Sequence, residues 1–87
     1  MKEKLNDRAT ARFVAMAGAK WVVDAGRTSA HLQVLYLGGV FLVDVQINGE
    51  EVDATARLVG IQDKPLIVEE VSLSLYKKTL EVSRDTA

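Results

Sequence analysis

Apolar residues recur along this chain with two different periods, and the change falls near residue 30. From about Lys4 to Ala25 the chain is rich in alanine, the strongest helix former. Thr10, Phe13, Val14, Ala17 and Trp21 follow one another at i, i+3/i+4, i+7 and i+11, which puts them on one stripe of a helix. Asp7 favours a helix N-terminus, and Gly26 is placed as a stop at the C′ position. Gly18 weakens the helix by roughly 1 kcal/mol relative to alanine. A competing reading makes Arg12–Met16 and Lys20–Asp24 two short strands around Ala17-Gly18-Ala19. Helix is the better of the two.

From His31 onward the period becomes two. Gly38-Gly39 and Asn48-Gly49 are dipeptides suited to type I′ hairpin turns, whose central residues both take positive φ. A two-residue turn fixes strand register, so the two turns check each other. The first pairs Tyr36 with Phe41, Val34 with Val43 and Leu32 with Val45; the second pairs Val45 with Val52, Val43 with Ala54 and Phe41 with Ala56. Both put Phe41, Val43 and Val45 on one face with apolar neighbours on either side. Closing Gln62–Pro65 as a further hairpin loop adds Val71, Leu73 and Leu75 opposite Ala56, Ala54 and Val52. Arg57 with Glu70 and Thr55 with Ser72 then pair on the other face. One misfit remains, Glu69 opposite Leu58 on the apolar side. A helix over Val71–Val82 is the alternative for this last segment and fits less well.

The expected architecture is α+β, an N-terminal helix packed on a four-stranded antiparallel β-meander with strands at about 31–37, 40–47, 50–61 and 66–76. The apolar sheet face must be covered, and the helical stripe is the apolar surface available to cover it. Its 87 residues are read as a single domain with a frayed tail from about 83.

Composition changes this picture little. Apolar residues are 48% and charged residues 26%, normal for a globular chain. Without cysteine there is neither a disulfide nor a thiolate metal site. No apolar run approaches the ~20 residues of a membrane helix, and the Met1-Lys2-Glu3-Lys4 start is not followed by a signal-like apolar region. The expected setting is cytoplasmic.

Charge is more informative. Residues 1–30 carry six basic side chains against three acidic, a balance of +3. Residues 31–63 carry Arg57 against five acidic side chains, a balance of −4. Lys4, Arg8 and Arg12 at i+4 spacing, with Lys20 two turns later, form a basic helix ridge suited to phosphates or acidic partners, though such ridges are commonly just solvated.

Catalytic and cofactor signatures are absent: one histidine, no nucleophile elbow, and no phosphate-binding glycine pattern. The second sheet face is where function is sought. In the registers above Asp44 lies opposite Asp53, beside Gln33, with His31, Gln46 and Glu51 in the next row. A like-charge pair is unfavourable unless splayed into water or used, to hold a cation or a basic partner or to raise one pKa. Toward the Gly38-Gly39 end the same face turns apolar through Leu35, Leu37, Val40 and Leu42. Such a patch marks an interface unless another part of the chain folds over it. Strand 31–37 and the last strand are the candidate open edges.

The leading expectation is a non-enzymatic protein-interaction or regulatory module without a cofactor. It would self-associate as a homo-oligomer or cap a protein partner. Leu35, Leu37, Val40 and Leu42 or an open strand edge would make the contact, with Asp44, Glu51 and Asp53 supplying charge specificity. A nucleic-acid-binding module using Lys4, Arg8, Arg12 and Lys20 is the alternative. A small enzyme or cation site on Asp44 and Asp53 is the third.

Overall fold

The computed structural model describes residues 7–62 and 65–86, with side chains described through Val82. In chain order the elements are α1 (Arg8–Asp24), β1 (Ser29–Tyr36), β2 (Gly39–Asn48), β3 (Glu51–Ile61), β4 (Ile67–Glu70) and α2 (Leu73–Thr86). The expected α+β class holds: α1 packs on an open sheet of four antiparallel strands.

Residues 8–24 are one helix, not two strands. Asp7 caps it, its side chain accepting from the Ala9 amide at 3.2 Å. The C-terminal end is a Schellman motif. Arg27 N donates to Val22 O, Gly26 N donates to Val23 O, and Gly26 takes φ +69°.

The buried stripe is Val14, Ala15, Gly18 and Val22, one residue further round than the sequence places it. Phe13 is 48% exposed and stacks on Tyr36 with ring centroids 4.8 Å apart. The reason is Gly18. A Cβ there would lie 2.7 Å from Val43 Cγ1, so the helix turns its glycine to the sheet and approaches as only that residue permits.

Both hairpins turn one residue away from the expected dipeptides. Leu37 (φ +53°) and Gly38 (φ +81°) form the first turn, pairing Tyr36 with Gly39, Val34 with Phe41 and Leu32 with Val43. Gly49 (φ +64°) and Glu50 form the second, pairing Asn48 with Glu51, Val45 with Ala54 and Val43 with Ala56. Moving a turn by one residue moves the register by two, which leaves every side chain on its face. Electrostatics distinguishes the two registers. The expected one sets Asp44 against Asp53, whereas the observed one sets Asp44 against His31 and Thr55, and Asp53 against Gln46.

The fourth strand is the larger correction. The sheet order is β3-β2-β1-β4, the Greek-key order, so β4 lies beside β1 and not beside β3. Five residues separate Ile61 from Ile67, enough to cross three strand spacings of about 4.8 Å each. Gln62 N anchors the crossing on Gly38 O at 2.8 Å; Asp63 and Lys64 of the expected hairpin loop lie outside the described residues. Beside β1, Val68 meets Val34 on the core face, and Glu69 accepts from Gln33 Nε2 at 3.3 Å on the other. The misfit of Glu69 against Leu58 disappears.

Residues 73–76, read as the end of that strand, begin α2 instead. Ser72 caps it: its Oγ accepts from Leu75 N at 3.2 Å, and its carbonyl accepts from Tyr76 N at 2.9 Å. The helix continues to Thr86, so the segment read as a tail is helical in its described part.

The main core is Val14 and Val22 of α1 with Ala30, Leu32 and Val34 of β1 and Phe41, Val43 and Val45 of β2. The corresponding residues of β3 are treated differently. Val52 is 53% exposed, and Ala54, Ala56 and Leu58 are only half-buried. Between Val40 and Phe41 the register shifts, leaving Val59 as an extra residue on β3 and bending that strand.

Candidate interaction surface

The second sheet face is occupied by its own helix over part of its area. α2 packs across β1 and β3, and the Tyr76 ring meets His31 edge-on at a centroid distance of 4.9 Å. Leu35 and Leu42 are 3% and 2% exposed, so they line a second, smaller apolar interior and not an open patch. Val40 is half-buried. Of the four apolar candidates only Leu37 stands out, 62% exposed at the tip of the first turn. The reason lies in the pattern of 71–82. With Ser72 as cap, Tyr76, Thr79 and Leu80 fall on one helical side and are the half-buried residues of α2.

The polar end of this face keeps its sequence-assigned members but rearranges them. His31 Nε2 is 3.6 Å from Asp44 Oδ1, and that oxygen, shielded from solvent, accepts no hydrogen bond. Asp44, Gln46, Asp53 and Thr55 line a recess of about 140 Å³, with Asp44 and Asp53 diagonal to each other. Glu51 stands exposed at the start of β3 opposite Asn48. Among the described residues no group of three or more His, Asp or Glu is placed to hold a metal ion. Partial burial raises the Tyr76 phenol pKa, with the Asp44 carboxylate acting in the same direction and Arg57 opposing.

The basic ridge divides. Lys4 lies outside the described residues. Lys20 is tied to Asp24 one turn on, at 2.5 Å. Arg8 and Arg12, both exposed, line an open groove of about 490 Å³ between α1 and the start of β3. Its remaining wall is apolar, made of Ala11, Ala15, Met16 and Ala19 on the helix with Val52 and Ala54 on the strand. Met16 is 65% exposed. The groove was missed in the sequence, although Ala11, Ala15 and Ala19 at i, i+4 and i+8 signal a helix side built for close approach.

The edges also differ from expectation. Strand 31–37 is interior, held between β2 and β4, so it is no edge. β4 is an edge as expected, but it is four residues long. Its end is fastened by a bidentate pair in which Arg27 donates to Glu70 at 2.8 and 2.6 Å. That pair holds the Glu70 carboxyl below the ordinary glutamate range. β3 is the other edge, eleven residues long and bordering the groove. In a two-residue hairpin the residues flanking the turn form a hydrogen-bonded pair. Counting from Asn48 and Glu51, the main-chain groups of Val52, Ala54 and Ala56 therefore point outward.

No helix among the described residues is long and apolar enough to cross a membrane. Scans against models of known protein families, curated proteins and solved structures return no match for this chain.

Proposed function

We propose that this chain is a protein-interaction module whose docking surface is the β3 edge together with the groove beside it. One observation carries the reading. The core-facing row of β3, Val52, Ala54, Ala56 and Leu58, has no fully buried member, whereas the corresponding rows of β1 and β2 contain the buried Ala30, Leu32, Val34, Phe41, Val43 and Val45. An exposed edge with outward main-chain groups is a template for an added strand, which supplies affinity through the ladder and selectivity through alternate side chains. The adjoining groove offers Arg8 and Arg12 to acidic side chains and Met16 to apolar ones.

The test is a photo-crosslinking amino acid placed at Met16 or Val52, with Lys77 on α2 as control, in cells carrying the chain. Covalent adducts are expected from the first two positions and not from the third. Equal yield from all three would refute a docking surface at β3.

A further inference from the structure

We infer that the occupant of the β3 edge is a second copy of this chain, paired antiparallel about a two-fold axis through Thr55. This rests on reading β3 as a docking edge and goes further by naming the partner and the register.

The charge pattern of the strand is self-complementary. Asp53 and Arg57 are exposed, lie on the same sheet face, and are equally distant from Thr55. Setting Thr55 against its own counterpart places Asp53 opposite the second copy's Arg57 and Arg57 opposite the second copy's Asp53. One symmetric contact thus makes two ion pairs. Sliding the register by one residue would put the charges on opposite faces. Sliding it by two toward the C-terminus would set Asp53 against Val59 and leave Arg57 against Thr55.

The same register satisfies the other face. Val52 comes opposite Leu58, and Ala54 opposite Ala56, so the half-covered row of each copy is covered by the other's. The outward main-chain groups of Val52, Ala54 and Ala56 meet outward groups of the second copy, because the register pairs even-numbered residues with even-numbered residues. Above this seam the two α1 helices lie side by side and antiparallel. Their groove walls of Ala11, Ala15 and Ala19 face each other, and Met16 fills the space between. Packed helices stand about 8–10 Å apart, close to two strand spacings of about 4.8 Å, so sheet pairing and helix packing are satisfied together. Growth stops at two copies. The opposite edge is the short β4, fastened at Glu70 by Arg27, and offers no equivalent strand.

Sedimentation velocity over a wide range of chain concentration tests the inference, using wild type, Asp53→Arg, Arg57→Asp, the double exchange and Met16→Glu. Wild type is expected at twice the 9.5 kDa chain mass. Each single reversal replaces two attractions by two repulsions and should raise the dissociation constant roughly ten-fold or more. The double exchange should restore wild-type dimerisation, and Met16→Glu should give monomer. Circular dichroism of each variant confirms that it is folded. Since Arg57 also lies near Tyr76 of α2, Asp53→Arg and Met16→Glu carry the test if Arg57→Asp disturbs that helix.

A wild-type chain that stays monomeric throughout overturns the second copy as occupant. Crosslinks from Met16 to a different protein would then still uphold β3 as the docking edge, and absence of crosslinks would sink both. A dimer indifferent to Asp53→Arg, or a double exchange that fails to recover association, overturns the register.

Discussion

Replacing Gly18 by alanine opposes two effects of known sign. Alanine raises helix propensity over glycine by about 1 kcal/mol, so on α1 alone the change stabilises. The added Cβ, however, would stand 2.7 Å from Val43 Cγ1 and 3.2 Å from Leu32 Cδ1, inside the 3.5–4.0 Å optimum for carbon pairs. Val43 and Leu32 are both 0% exposed and have no open space to move into. The helix must lift or the sheet must give, and overpacking of this kind costs about 1–3 kcal/mol. The net expectation is a loss of about 1 kcal/mol, read from urea unfolding as a lower midpoint with an unchanged slope. A double-mutant cycle isolates the cause. Val43→Ala removes the Cγ atom that the added methyl group would strike, so in that background Gly18→Ala should become stabilising by a few tenths to about 1 kcal/mol. Gly18→Ala raising the urea midpoint in the wild-type background would refute the close-approach argument. So would a penalty that survives Val43→Ala unchanged.

Three further changes address other parts of the structure. Leu37 occupies the left-handed region at φ +53° while 62% exposed, so Leu37→Gly relieves strain at little packing loss; a gain of roughly 1 kcal/mol in urea unfolding is expected, and a loss would contradict the strain. Arg27 lowers the pKa of Glu70, so the pair's stabilisation is present above the unfolded glutamate pKa and disappears as pH falls through the lower folded one. The stability gap between wild type and Arg27→Ala should therefore be open at neutral pH and close on acidification, and a gap independent of pH would assign it to another cause. Tyr76 has a raised pKa, so its contribution is complete below the unfolded tyrosine pKa and is lost as pH rises through the folded one. Tyr76→Phe should abolish an alkaline loosening of α2, followed by amide exchange along the helix; equal loosening in both proteins would exclude the phenol as its source.

Much of the fold could be read in the sequence because the face of a β residue depends only on parity. Both turns were misplaced by one residue, yet Phe41, Val43 and Val45 still fell on the core face, since a two-residue slip conserves the alternation. What the slip altered was side-chain pairing. The like-charge opposition of Asp44 and Asp53 belonged to the wrong register, and avoiding it was itself a signal for the right one. The Glu69 misfit was a second such signal. It disappears only when the last strand crosses to β1, a long-range choice that local periodicity does not encode. The α1 stripe was rotated because Gly18 reads as a weak helix residue in one dimension and as a contact surface in three.

The site was less legible for a related reason. An apolar patch and a future interior look alike in sequence. Leu35 and Leu42 suit a partner surface by pattern alone, yet both are buried within the chain itself, and Ser72 starts a helix where the pattern predicts a strand. Covering that face internally leaves the molecule with a different exposed deficit. Each sheet face has a helix packed on it, but α1 does not seal the core-facing row of β3, whose outward main-chain groups remain along the edge. Those groups lie in the plane of the sheet, where an added strand can pair with them in a regular ladder. A strand bearing Asp53 and Arg57 symmetrically about Thr55 is one that this chain already possesses.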